Sequence, residues 1–349
     1  MSGLQGGISP QMDTLRAVNE GAVCAVVLTY NRPSLLRICL TRLYAQTHLP
    51  DEILVVDNAS TDNTLEMLRS EFPEVRVLTL SPNVGAAGGF VAGMKQAYNE
   101  GFDWLGLMDD DAYPRPAALA HLLTGCGEAD VRVPILCSAD GQQYGVWRWK
   151  RGGGKEIAPA TLPDNAPVEL FTFVGPLVSR RVIEQVGLPY ADYFIDAFDF
   201  EYSLRLHQAG LNATLAAGSV IDHQLGEMRP SRLMMVGPVV MRFWMPNWRL
   251  YYTARNAILT AKRRDLGNAE LFYTLRMQGR VLLRELIYRP GNLVRLQLWM
   301  LAIVHGLNGV SGERKNLITP STQKEAVGSP KEGESTAPGL LTDIQHSSP

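Results

Sequence analysis

The stretch Trp104-Leu-Gly-Leu-Met-Asp109-Asp110-Asp111-Ala112 decides how this chain is read. A short apolar run of strand length ends in three consecutive carboxylates and then a turn marked by Pro114 and Pro116. Adjacent negative charges repel, and at the carboxyl end of a buried strand they persist most readily when a cation shares the site. Mg²⁺ and Mn²⁺ take oxygen ligands, usually one or two carboxylates together with substrate phosphates, so alternate carboxylates at a strand end suit a metal-bound pyrophosphate. The plainer alternative is a solvated acidic turn that caps a helix beginning near Pro116.

The flanking sequence favours the metal. Val23 to Tyr30 is a continuous apolar run bounded by Asn31-Arg32-Pro33, which suits a strand buried on both faces. Pro33 fits a first helical turn, and Leu35, Leu36, Cys39, Leu40 and Leu43 carry a helix toward Thr47. Glu52 to Asp57 is a second strand, with side chains from Asn58 to Thr64 available to cap a helix over Leu65 to Glu71. Val75 to Leu80 is a third. Asn83, Gly85, Gly88 and Gly89 then open a helix that runs to about Glu100, ahead of the strand at 104 to 108. This alternation predicts an α/β, Rossmann-like and mostly parallel sheet with helices on both faces. Ligands of such sheets lie beyond the carboxyl ends of the strands, which here carry Thr29, Arg32, Asp57, Asn83, Asp109 and Asp111.

Each of these residues also has a structural use. Asp57 can accept hydrogen bonds from a ribose or a base, or serve as an Asx cap. Arg32 can fork onto a phosphate or simply remain solvated. The glycines after Asn83 permit close backbone approach to a ligand, but their spacing is not GxGxxG and no Walker lysine follows, which disfavours dinucleotide oxidoreduction and P-loop hydrolysis.

Regularity falls off from Arg132 to Pro167, where Trp147-Arg148-Trp149 and Gly152-Gly-Gly154 suggest loops or a short hairpin. It returns at Leu170 to Val178, with a helix over Ser179 to Val186. Asp196, Asp199 and Glu201 then cluster at the start of a helix that Gly210 ends. Carboxylates there favour the helix dipole, and one of them can instead act as a general base for an acceptor hydroxyl. A strand from Thr214 to Ile221 ends in Asp222-His223, and His223 suits either a metal's remaining position or a structural role.

Composition sets outer bounds. The 349 residues are 46% hydrophobic and 19% charged, which excludes disorder throughout. Cys24, Cys39, Cys126 and Cys137 form no CxxC pair, as in a reducing, cytoplasmic setting. The apolar window Leu293 to Val310 is interrupted by Arg295, Gln297 and His305, and no transmembrane helix is expected. The formal net charge of −2 conceals an asymmetry: residues 226–312 hold 13 Lys/Arg against 4 Asp/Glu, a surplus of nine, while the first 225 hold 16 against 26. A basic amphipathic helix over 268–288 places Arg276, Arg280 and Arg284 beside an apolar face of Leu271, Leu275, Leu282 and Leu286. It predicts either a docked helix with solvated arginines or contact with an anionic membrane surface. Four regions result: a loose N-terminus (1–21), a catalytic domain (22–225), a basic, aromatic, mainly helical region (226–312) and a disordered tail (313–349).

In order and spacing, Val-Val-Leu-Thr29-Tyr-Asn-Arg32-Pro, Ile-Leu-Val-Val-Asp57-Asn-Ala-Ser-Thr-Asp, Asn83-Val-Gly-Ala-Ala-Gly-Gly-Phe, Leu-Met-Asp109-Asp-Asp111, Phe-Ile-Asp-Ala-Phe-Asp199-Phe-Glu-Tyr-Ser-Leu-Arg205, His223 and Tyr-Tyr-Thr-Ala-Arg255-Asn256 resemble the family 2 glycosyltransferases of GT-A fold. The Gly-Gly-Phe, the triple Asp and Asp-Phe-Glu-Tyr look like the galactofuranosyltransferase and rhamnosyltransferase branch. The resemblance implies inverting transfer from a UDP- or dTDP-linked sugar to a glycan or lipid-linked glycan at the cytoplasmic face of the inner membrane, with no nucleic-acid partner. It implies Mn²⁺ or Mg²⁺ on Asp109, Asp111 and His223, and donor contacts from Thr29, Arg32, Asp57, Asn83, Gly85 and Asp110. Asp199 would be the base, and Asp196, Glu201 and Trp147 would meet the acceptor. Phe198 stands where many members have an acidic residue, so Asp196, Asp199 and Glu201 all stay open as the base. A sugar nucleotidyltransferase would want a Gly-rich, Arg/Lys-bearing signature at the first strand, which Thr29-Tyr-Asn-Arg-Pro lacks; a non-catalytic glycan-binding protein would dispense with the metal carboxylates.

Overall fold

The computed structural model describes residues 21–125, 129–150, 154–223, 228–232, 237, 239–288, 293–314 and 317. Most of the expected N-terminal segment and tail, together with Cys126 and two of the three glycines at 152–154, lie outside the described residues.

The alternation predicted from the sequence is present. Strands β1 (Val23–Thr29), β2 (Glu52–Asp57), β3 (Arg76–Thr79) and β4 (Trp104–Asp109) are parallel, linked by helices α1 (Pro33–Tyr44), α2 (Thr64–Glu71) and α3 (Gly85–Asn99). β1 shows why the apolar runs are unbroken. Its Cys24, Val26 and Leu28 enter the core shared with α3, while Ala25 and Val27 enter the core under α1 and α2. Cys24, Cys39 and Cys137 are buried free thiols, and burial pushes Cys24 up to about 12.

The chain continues through β5 (Ala112–Pro114), α4 (Ala118–Leu123), β6 (Val131–Cys137), β7 (Gln143–Tyr144), a hairpin of β8 (Val146–Trp149) and β9 (Gly154–Ile157), β10 (Leu177–Ser179), α5 (Arg180–Val186), α6 (Phe198–Gln208) and β11 (Ala213–His223). The main sheet runs in the order β3-β2-β1-β4-β10-β6-β11-β5, with β7 beside β6. β10, β5 and β7 are antiparallel to their neighbours and the other pairings are parallel. Only Asp110 and Asp111 separate β4 from β5, yet β5 pairs with β11 at the far edge. A two-residue link cannot cross a flat sheet, so the sheet curls and the acidic turn lies inside the curl.

β6 was missed by the sequence reading. Its seven residues are all buried, including Arg132, whose guanidinium is held by Asn165 and Thr214, so a charge at the second position of the run masked an interior strand. β10 is correspondingly shorter than the run from 170 to 178 suggested.

The C-terminal region contains a β12 (Met228–Arg232) and β13 (Val239–Phe243) hairpin and helices α7 (Asn247–Arg263), α8 (Gly267–Tyr288) and α9 (Leu293–Leu307). α7 buries Trp248, Tyr251 and Tyr252 with Phe194 and Ala302, which joins the helical segment to the loop before α6. Arg276, Arg280 and Arg284 of α8 are exposed as expected, but of the four leucines on its expected apolar face only Leu282 is fully buried. The inward face includes Thr274, Gln278 and Glu285, and Glu285 pairs with buried Arg295 of α9. No helix among the described residues is long and apolar enough to cross a membrane.

Candidate active site

The parallel register sets the site. Thr29 lies opposite Asp57 on β2, and Leu28 opposite Asp109 on β4, so three strand ends finish at one level. The Thr29 hydroxyl donates to Asp110 Oδ2 at 2.8 Å. Arg32, immediately before α1, places Nη1 3.3 Å from Asp110 Oδ1 and 3.2 Å from Asp111 Oδ2. On the other side, antiparallel pairing sets His223 opposite Ala112, and the imidazole Nε2 lies 3.4 Å from Asp111 Oδ1. The Tyr144 hydroxyl meets His223 Nδ1, which orients the ring and leaves Nε2 toward the carboxylate.

The three adjacent carboxyls therefore differ. Burial, reinforced by Asp111 and Asp110, pushes Asp109 up to about 7. Burial also raises Asp110, to about 6, against the opposing pull of Arg32. Burial acts in the same sense on Asp111, but its hydrogen bond to His223 and the charges of His223 and Arg32 outweigh it and hold Asp111 below the usual carboxylate range. For His223, burial is outweighed by Asp111 and Asp109, which raise it. The cluster is short of positive charge, with one guanidinium shared by two carboxylates.

Asp111 and His223 form a donor pair of the oxygen and imidazole types that Mn²⁺ accepts, and the Tyr144 contact supports it. Among the described residues no three His, Cys, Asp or Glu side chains are gathered into a complete metal site. The expected set of Asp109, Asp111 and His223 is thus assembled only in its Asp111–His223 half, and substrate phosphates would supply further oxygens.

At the end of β2, Asp57 is fully buried and its carboxylate receives the N–H of Ser60, three residues on, at 3.3 Å. Asn83 Oδ1 accepts the Gly85 N–H at 2.8 Å and turns the chain into α3. Asn58 does not cap α2; it holds the start of α3, donating to Gly85 O and accepting from Val84 N. The Thr64 N–H and hydroxyl at the start of α2 both donate to Asp62 instead. Gly85 has φ +75°, and a Cβ there would sit 2.2 Å from Phe194 O. The close approach this glycine permits is made by the protein's own backbone. Gly89 likewise makes room for Leu28, and Gly88 for Val84.

Asp199 lies in the first turn of α6, with Oδ1 accepting the Phe200 N–H. Burial, aided by Asp196, pushes its carboxyl up to about 7. Asp196 is held by Arg249 of α7, whose Nη2 and Nε lie 2.7 and 3.1 Å from its oxygens, and by the Thr253 hydroxyl at 2.9 Å. Glu201 lies about 200° around the helix from Asp199. It is fully buried between Arg205 and Arg264, 3.0 and 3.1 Å away, which places it in an ion pair at the end of α7. Trp147 is half-buried, with its ring centroid 5.6 Å from that of Phe200, next to Asp199.

Sequence reasoning assigned no role to Arg249 or Tyr144, only a place in a motif to Thr253 and Asn256, and a helix cap to Asn58. For Arg249, Thr253 and Asn256 a signal existed: polar residues four and then three apart share one face of an otherwise aromatic helix. Tyr144 had none, because its role depends on β7 lying beside β6.

A curled, mostly parallel α/β sheet surrounded by helices, with a C-terminal helical segment, is the architecture of the GT-A class. Residues 24–181 match the model of the glycosyl transferase family 2, so that this part of the chain is a domain of that family. It is 29% identical over 248 residues to galactofuranosyltransferase GlfT1 of Mycobacterium tuberculosis, covering 67% of this chain and 80% of that protein. The Mycolicibacterium smegmatis protein of that name is 30% identical, over 54% of this chain and 66% of its own length. To dTDP-rhamnosyl transferase RfbF of Shigella flexneri the chain is 23% identical, covering 83% of this chain and 97% of that one. Among solved structures, residues 1–349 of Staphylococcus aureus TarS superpose with a TM-score of 0.55 at 15% identity, covering 83% of this chain and 81% of that one, a likeness of fold.

Proposed function

We propose that this enzyme transfers a sugar, galactofuranose or rhamnose, from its UDP or dTDP diphosphate to a growing lipid-linked glycan, with inversion at the anomeric carbon. The observation that carries this reading is the division of labour among carboxylates. Asp110 and Asp111 are engaged by Arg32, Thr29 and His223, and Asp196 by Arg249, while Asp199 makes no salt bridge among the described residues and is raised to about 7. A carboxylate near neutrality suits a general base. The named relatives, one a galactofuranosyltransferase and one a dTDP-rhamnosyl transferase, support the choice of donor.

Asp57 and the Asn83–Gly85 turn hold the nucleoside, Arg32 binds a diphosphate oxygen, and Asp110 contacts the ribose or donor sugar. The acceptor stacks by Trp147. Asp199 takes the proton of the acceptor hydroxyl as its oxygen bonds to the anomeric carbon from the face opposite the diphosphate. The bond from that carbon to the β-phosphate oxygen breaks, and the nucleoside diphosphate leaves with the electron pair. Asp111 and His223, with Asp109 beside them, would hold Mn²⁺ or Mg²⁺, which would supply positive charge to the departing diphosphate.

For a lipid-linked acceptor we propose that α8 and α9 meet an anionic membrane surface. α9 exposes Leu293, Val294, Met300 and Val304, while Phe272 and Leu283 share the exposed face of α8 with Arg276, Arg280 and Arg284. The surplus of nine positive charges over residues 226–312 matches anionic lipid.

A panel of nucleotide sugars, scored by thermal stabilisation with and without Mn²⁺ and then by nucleoside diphosphate release onto a polyprenyl-diphosphate acceptor, tests the reading. UDP-galactofuranose or dTDP-rhamnose should stand out. Stabilisation by a sugar nucleotide with no transfer to any acceptor would favour a binding protein.

A further inference from the structure

The loop that delivers Asp199 has a backbone that its own residues disfavour. Phe194, Asp196 and Ala197 have φ of +66°, +61° and +62°, three of the seven non-glycine residues in the left-handed region among the described residues. Such conformations persist only where their surroundings hold them. Ala197 is the residue from which α6 starts, so the path of this loop sets the position of Asp199 two residues later.

What holds the loop is a single face of α7. Arg249, Thr253 and Asn256 follow at intervals of four and three, one above another along the helix. Arg249 and Thr253 take the Asp196 carboxylate. The Asn256 amide nitrogen lies within hydrogen-bond distance of three carbonyls of the loop, Tyr193 O at 3.0 Å, Ile195 O at 2.6 Å and Asp196 O at 2.9 Å, among which its two N–H groups are shared. Arg255 adds a bond from Nη2 to Tyr193 O at 3.0 Å. From the opposite side the Ala87 N–H donates to Phe194 O at 3.1 Å, and Gly85 leaves room for that carbonyl. The loop is therefore clamped between the start of α3, on the donor side, and α7.

We infer that the Arg249–Thr253–Asn256 face of α7 is a positioning device for the Asp199 carboxylate, so that the C-terminal helical segment completes the active site. This rests on the reading of Asp199 as the base. Asn256 and Thr253 act through the loop: each bond they make ends on Tyr193, Ile195 or Asp196, or on α7's own neighbours.

A double-mutant cycle on the full chain tests it. Asn256→Ala should lower kcat about 10- to 100-fold, the scale of a misplaced catalytic group, with the nucleoside diphosphate Kd changed by less than about threefold. Thr253→Val, which keeps shape and loses the hydroxyl, should lower kcat about 3- to 10-fold and keeps the test available should Asn256→Ala fail to fold. In an Asp199→Asn background both substitutions should lose their effect on the residual rate, because the group they position is gone. Losses that multiply in that background, or a donor Kd that rises in step with the fall in kcat, would show a merely structural role and overturn the inference. Full transfer by Asp199→Asn alone would instead strike the assignment of the base.

Discussion

Arg249 grips Asp196 through Nε and Nη2, at 3.1 and 2.7 Å, and in doing so decides between the two carboxylates that precede and open α6. Asp196 is thereby committed to a guanidinium from another helix and a threonine hydroxyl, whereas Asp199 keeps only the Phe200 N–H as a described side-chain hydrogen-bond partner. Phe198, which stands where the family pattern has an acidic residue, packs into the core, and the base proposed above is Asp199.

This pairing predicts the pH dependence of transfer. Burial lifts the Asp199 carboxyl to about 7, so the basic form prevails only above that value. The kcat/KM for transfer, which reports the unliganded enzyme, should fall about tenfold per pH unit below 7. Asp199→Asn should reduce transfer to a small residual rate and leave nucleotide affinity nearly intact. A rate that stays flat down to pH 5 would assign the base elsewhere.

Arg32 is the guanidinium shared by Asp110 and Asp111, and its loss should be felt in both binding and stability. Arg32→Ala should raise the donor KM about tenfold or more, the value of one charged hydrogen bond. Burial already holds Asp109 and Asp110 above their unfolded pKa, so these groups favour folding at low pH and oppose it as pH rises through 6 and 7. Removing Arg32 strengthens that opposition. The drop in Tm relative to wild type should therefore be larger at pH 8 than at pH 5.5, and an equal drop at both would show that the guanidinium does not offset these charges.

Glu201 predicts a different outcome. Its carboxylate is fully buried between Arg205 and Arg264, and Glu201→Ala leaves two guanidinium groups facing an empty site. Chemical denaturation should show a loss of about 3 kcal/mol. The donor KM should be unchanged in the folded fraction, and a selective rise in acceptor KM would return Glu201 to the cleft.

For the membrane surface, the expected outcome is co-sedimentation with vesicles containing phosphatidylglycerol and not with pure phosphatidylcholine. Val304→Glu or Met300→Glu should weaken it by placing a carboxylate in the exposed stripe of α9. Arg276→Ala with Arg280→Ala should weaken it further at low salt. Unchanged sedimentation would remove α8 and α9 from the contact, and a change of oligomeric state without a change in vesicle binding would assign the stripe to a second copy of the chain.

Much of the fold was legible in the residues because it depends on local patterns. Unbroken apolar runs at β1, β2 and β4 point to burial on two faces, Pro33 and the glycines from 85 to 89 mark helix starts, and three adjacent carboxylates at the end of a buried strand favour a neighbouring cation. Thr29, Arg32, Asp57, Asp109 and Asp111 could be referred to one crevice because parallel strands end on the same side. Tertiary structure alone decided which carboxylate each cation takes, since Arg249 lies 53 residues from Asp196 and Tyr144 lies 79 from His223. It also decided that Gly85 yields to the Phe194 carbonyl and that Glu201 faces α7. Pairings over such separations depend on the curl of the sheet and the docking of α7, which are global results of packing and leave no trace in the spacing of neighbouring residues.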